Sequence, residues 1–116
     1  MPDSAASEWI SQLRRGVLEL CVLCIVRDEP SYGYGIVTTL EKLGPLAAGE
    51  NTLYPLLRRL KSDGQLETFS VESPSGPPRQ YYQLTDQGRR RLQTLEREWA
   101  ELARAVESCL KPGDAS

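Results

Sequence analysis

Apolar residues recur at intervals of three and four from Glu8 to Val26, at Trp9, Ile10, Leu13, Val17, Leu20 and Cys24. That spacing predicts an amphipathic helix whose last turns become apolar on every side. Met1 to Ser7 is small and polar and reads as a frayed end. Asp28-Glu29-Pro30 closes the helix. A second helix follows, with Ser31 as its cap and Ile36, Val37, Leu40 and Leu43 on one face. Two glycines in its first turn, Gly33 and Gly35, predict close packing by another segment, and Gly44-Pro45 stops it.

A third helix begins at Asn51 or Thr52. With Thr52 as N-cap, Pro55 falls in the first turn, where its missing N–H has no partner to lose. Leu53, Leu56, Leu57 and Leu60 form its buried stripe, and Gly64 supplies a left-handed C-terminal cap. Asn51, Pro55, Arg58 and Ser62 point the opposite way, with Thr52, Tyr54 and Arg59 on the shoulders.

Leu66 to Glu72 alternates, and Arg79 to Leu84 reads as its return strand. The segment Pro74-Ser75-Gly76-Pro77-Pro78 is the hairpin end. Tyr81 and Tyr82 fall on opposite faces. Thr85 caps a last helix, Asp86 to about Leu110, along which Leu92, Leu95, Trp99, Leu102, Val106 and Leu110 form a near-heptad seam. At about 1.5 Å per residue this helix outruns a compact body of about 13 Å radius of gyration, so its seam needs cover. A second copy in a C2 homodimer is the simplest source.

The chain has 116 residues and a net charge of −2. Distribution matters more than the sum. From Asn51 to Arg91 seven cations face four acids, a local surplus of three that suits an oriented docking face. No apolar run is long enough to span a bilayer and no signal-peptide pattern opens the chain, so a cytoplasmic protein without a membrane partner is expected. There is no histidine, which removes Ser-His and Cys-His nucleophiles. No phosphate-cradling Gly-rich loop with Lys appears. Cys21 and Cys24 form a C-x-x-C, but the apolar setting favours small buried hydrophobes over metal or redox chemistry. Neither a catalytic set, nor a metal site, nor a cofactor is expected.

The fold class that emerges is mainly α with a small β-hairpin: a winged helix-turn-helix plus a long C-terminal dimerisation helix. A helix with a cationic outer face beside an arm that can reach a backbone is a design for gripping DNA, so residues 1–84 are expected to be the DNA-binding domain and 85–116 the dimerisation helix and tail. Four blocks carry a family likeness: Leu13 to Glu19, Tyr32-Gly33-Tyr34-Gly35-Ile36, Asn51 to Leu60, and Gly76 to Arg89. In these blocks, in this order, the chain resembles the PadR family of bacterial transcriptional regulators, in its compact subgroup with one C-terminal helix. The resemblance implies a sequence-specific regulator, a ligand-responsive repressor that binds a pseudo-palindromic double-stranded operator as a homodimer. One departure is Glu50-Asn51, where the family often has Gly before Thr-Leu-Tyr-Pro.

The DNA-contacting set is then Asn51, Thr52, Tyr54, Arg58 and Arg59 on the third helix, with Ser75, Gly76 and Arg79 on the wing. Arg pairs bidentately with guanine and Asn with adenine, whereas Thr52 and Tyr54 suit phosphate. Arg14, Arg15 and Lys61 are read as solvated cations. The seam residues Leu92, Leu95, Trp99, Leu102, Val106 and Leu110 form the expected dimer interface. The resemblance also makes Trp99, with Trp9, a candidate wall for a small aromatic or hydrophobic effector; simple packing of the seam is the other reading. Two other functions stay open: a winged-helix protein-interaction module that does not bind DNA, and a thiol redox protein using Cys21 and Cys24.

Overall fold

The computed structural model describes residues 4–113. Helix α1 spans Ser4–Asp28 and α2 spans Gly33–Glu41, with a two-residue strand β1, Ser31–Tyr32, between them. A short 3₁₀ turn, Gly44–Leu46, leads to α3, Glu50–Ser62. Strands β2, Leu66–Ser73, and β3, Gly76–Leu84, form the wing, and α4 runs Asp86–Leu110. The four helices, the wing and the long terminal helix follow the order expected from the sequence. At the N-terminus α1 includes Ser4 to Ser7, which the sequence marks as a frayed end; Met1–Asp3 lie outside the described residues.

One core holds these elements together. Leu18, Val22, Leu23 and Val26 of α1 meet Ile36, Val37 and Leu40 of α2 and Leu53, Leu57 and Leu60 of α3. Leu66, Leu84 and Leu92 close it from the wing base and α4. Leu56, expected in the buried stripe, is only half-buried at its edge. Leu43 lies beyond the end of α2 and is exposed. Tight contacts explain the glycines. A Cβ on Gly33 would strike the Tyr54 ring, 2.8 Å from its hydroxyl, so α2 and α3 approach closely only because that Cβ is absent.

Caps at the junction of α3, wing and α4 lock one corner. Gly64, at φ +81, ends α3. The Gln65 amide donates to the Leu60 carbonyl at 2.9 Å and the Gly64 amide to that of Lys61 at 3.0 Å, the paired bonds of a left-handed helix stop. Thr85 caps α4 by accepting from the Gly88 amide at 2.9 Å, and its hydroxyl donates to the Gly64 carbonyl at 2.6 Å. The end of α3, the wing base and α4 are thereby joined at one residue.

Two helix starts differ from expectation. The N-cap of α2 is Tyr32, not Ser31, because Ser31 and Tyr32 pair with Tyr82 and Tyr81 of β3. The sheet is therefore three-stranded, in the order β1-β3-β2. The N-cap of α3 is Gly49 rather than Thr52, which places Pro55 in the second turn. The Asn51 carbonyl has no helical partner there, at an exposed position that solvent can reach. The wing is also longer than its two short alternating runs predict. Only Pro74-Ser75 forms its tip, and Gly76, Pro77 and Pro78 belong to β3. The register slips between Val71 and Ser73, opposite the two prolines, which have no N–H for the ladder.

A candidate nucleic-acid interface

Helix α3 packs mainly on α2 and β2, which leaves its polar side open. Asn51, Thr52, Pro55, Arg58, Lys61 and Ser62 are all exposed. Because Gly49 is the cap, the Thr52 hydroxyl is not consumed, and it makes no hydrogen bond among the described residues. Arg58 likewise has no ion-pair partner among them. Glu50 occupies the first turn, exposed beside this face, where it suits the helix dipole but would repel a phosphate.

Tyr54 and Arg59 have structural duties. The Tyr54 ring is half-buried over Gly33. Burial, then Glu50 and Tyr82, push its phenol above the ordinary range, so it stays neutral. Arg59 turns toward α1. It donates to Glu19 at 3.3 Å and to Asp63 at 3.4 Å. The same Glu19 carboxylate accepts from Arg91 of α4 at 2.9 Å. Glu19 thus links α1, α3 and α4. Burial raises its carboxyl, but Arg91 and Arg59 more than offset this and hold it below the ordinary range. Three arginines at the positive end of α4 are an unfavourable choice in isolation. Arg91 is explained by Glu19, and Arg89 lies 4.0 Å from Asp86. The Arg59–Glu19 pair spans forty residues and was invisible to local reading. Arg14 is also committed, donating to the Pro45 carbonyl at 3.1 Å.

The wing carries Ser75, Gly76 and Arg79, all exposed. Its outer face holds a row that pattern reading missed, because β1 was needed to build it. Phe69 stacks on Tyr81 at 5.8 Å, Tyr81 meets Tyr32 at 5.4 Å, and the Arg79 guanidinium lies 4.5 Å over the Tyr32 ring. That cation–π contact orients Arg79 along the sheet. Tyr82, on the opposite face, packs against the core.

At the other end, the seam divides. Leu92 is 3 % exposed in its own chain's core, and Leu95 packs at the core's edge. Leu92 therefore has almost no surface to offer a second copy, contrary to its expected place in a dimer interface: α4 starts against the body rather than beyond it. Trp99, Leu102, Val106 and Leu110 are exposed, rising to 69 % at Leu110. Trp9 and Leu13 on α1 are exposed too. Trp99 walls a cavity of about 340 Å³ with Val17, Leu20, Cys21, Cys24 and Leu46. Trp9 does not line it. Cys21 and Cys24 are half-buried here rather than sealed in the core as expected. Among the described residues no cluster of metal-ligating side chains occurs and no helix is long and apolar enough to cross a membrane.

A recognition helix with an open polar face, an arm beside it and a clamped scaffold behind define a winged helix-turn-helix. Residues 22–94 match the transcriptional regulator PadR-like family. The chain belongs to that family, whose members are transcriptional regulators and not enzymes. A PadR-family regulator from Eggerthella lenta is 40 % identical, with a TM-score of 0.86 and 96 % of each chain covered. A PadR-like regulator from Bacillus cereus is 36 % identical at TM-score 0.80, covering 87 % of this chain and 98 % of that one. PadR of Bacillus subtilis, whose structure is a complex with operator DNA, is 26 % identical at TM-score 0.64. That match covers 68 % of this chain and 46 % of the Bacillus subtilis chain.

Proposed function

We propose that this regulator is a sequence-specific, ligand-responsive repressor that binds a pseudo-palindromic operator as a homodimer. The observation that carries the reading is the uncovered side of α3, where exposed Asn51, Thr52 and Arg58 stand beside the wing. In this reading Arg58 and Asn51 read base edges, Thr52 and Arg79 hold the backbone, and Ser75-Gly76 reaches toward the adjacent groove. Tyr54 and Arg59 act by fixing the pose of α3 and contact DNA only secondarily. The relative solved with operator DNA supports the DNA partner.

The exposed stripe Trp99, Leu102, Val106 and Leu110, together with Trp9 and Leu13, supports the second copy. The apolar cavity beside Trp99 supports the effector. Sequencing of genomic fragments retained by the purified protein, followed by footprinting, tests the reading. It requires two protected half-sites separated by about 10 bp or a multiple. Retention without sequence preference, or one isolated half-site, would refute it.

A further inference from the structure

The cavity beside Trp99 has a chemistry that packing does not require. Two of its walls are thiols. Cys21 and Cys24 lie three residues apart on α1, which sets both on one side of the helix, and both open into the same space. The remaining walls, Val17, Leu20, Ile25, Leu43, Leu46 and the Trp99 indole, are apolar. Such a space discriminates against charged and strongly hydrated molecules and admits a flat uncharged one. Its volume of about 340 Å³ suits a single small ring system.

We propose that Cys21 and Cys24 form a covalent binding site for a small uncharged quinone, or a quinone-like aromatic electrophile, which stacks on Trp99 before it reacts. This deepens the ligand-responsive reading by naming the class of ligand. In the reaction one Sγ bonds to a ring carbon and the thiol proton passes to a quinone oxygen. The hydrogen on that ring carbon moves to the other oxygen. The product is a hydroquinone thioether. The quinone is the electron acceptor, nothing leaves, and no further oxidant enters.

The surroundings give the site its selectivity. Burial, with Cys24 as neighbour, raises the Cys21 thiol, and burial raises that of Cys24 despite Arg27. Both therefore stay largely protonated and slow toward reagents arriving from water. A molecule already held against them reacts at high effective concentration. Cys109, exposed on α4, provides an internal reference in the same chain.

The test is peptide mapping of the full-length protein after exposure to limiting para-benzoquinone and, separately, to iodoacetate. The expected result is quinone adducts on Cys21 or Cys24 over Cys109 by about tenfold or more, the advantage that prior binding confers. Iodoacetate, being charged, should favour Cys109. In urea the quinone preference should vanish. Quinone adducts chiefly on Cys109 of the folded chain, or a Cys21–Cys24 disulfide in place of an adduct, would overturn the proposal. Mapping needs no operator, so its failure and failure of the proposed DNA binding are told apart.

Discussion

Adding one methyl group at Gly88 should cost more than adding one almost anywhere else in this chain. Its Cβ would land on the Gln65 backbone carbonyl, which the Thr85 amide holds in place, so neither side can yield. We expect Gly88→Ala to lose about 1–3 kcal/mol or more of stability, as overpacking against fixed atoms does. Gly16 is the contrast: it lies within α1 with nothing within 4 Å of a new Cβ. Gly16→Ala should gain about 0.5–1 kcal/mol from helix propensity. Thermal unfolding of the two variants beside the parent checks both signs. The sequence already marked glycines as places of close approach, but not which ones. Gly33 owes its role to Tyr54, twenty-one residues away, and no local pattern reports that distance.

At the scale of elements, Glu19 shows how three helices share one charge. Its folded-state pKa lies below the unfolded value, so the pairing is fully present above about pH 4.3 and fades as pH falls through the lower folded value. Glu19→Gln removes it and leaves Arg59 and Arg91 without a common partner. We expect a loss of about 1 kcal/mol at pH 7, modest because both arginines are half-exposed to water. Chemical denaturation at stepped pH is the measurement. The gap between parent and variant should hold from pH 8 down to about pH 5 and shrink as pH falls below the ordinary carboxyl range. A gap that widened in acid would contradict the linkage.

Elements with strong periodicity were legible from residues alone. The α3 stripe, Thr85 as a cap, Gly64 as a helix stop and the long reach of α4 all follow from spacing and local chemistry. What escaped was non-local. Strand β1 is two residues long and exists only because Tyr81 and Tyr82 pair with it. The cap of α3 moved from Thr52 to Gly49, since Pro55 is tolerated in the second turn where water can reach Asn51. Arg59, expected on the DNA-contacting face, also pairs with Glu19, whose place on another helix no local spacing reports. Within the site, the exposure of the polar face of α3 could be read ahead, whereas the ion pairing of Arg59 and the lack of such a partner for Arg58 among the described residues could not.

The whole molecule is extended, 61 × 40 × 20 Å, with a radius of gyration of 16.9 Å. A compact chain of similar length comes to about 13 Å. The excess agrees with an α4 that leaves the body after Leu95 and carries its apolar stripe outward. If the proposed homodimer forms through this stripe, replacing Leu102 and Val106 with Glu should abolish it while leaving the core, whose last buried residue is Leu92, intact. Sedimentation is expected to show a monomer and circular dichroism a retained helical fold. A variant that remained dimeric would move the interface elsewhere. Loss of the dimer should also weaken operator binding steeply, because each half-site then binds alone.

Arg58, exposed on the open face of α3, is the residue whose removal most directly tests DNA reading by that face. Operator affinity of the parent and of Arg58→Ala should be titrated at several salt concentrations, on the selected site and on single-base variants. The expected loss is about 1–3 kcal/mol, roughly 5- to 150-fold, with relaxed preference at one base pair in each half-site. An unchanged affinity, salt slope and base preference would contradict the claim that this face reads DNA.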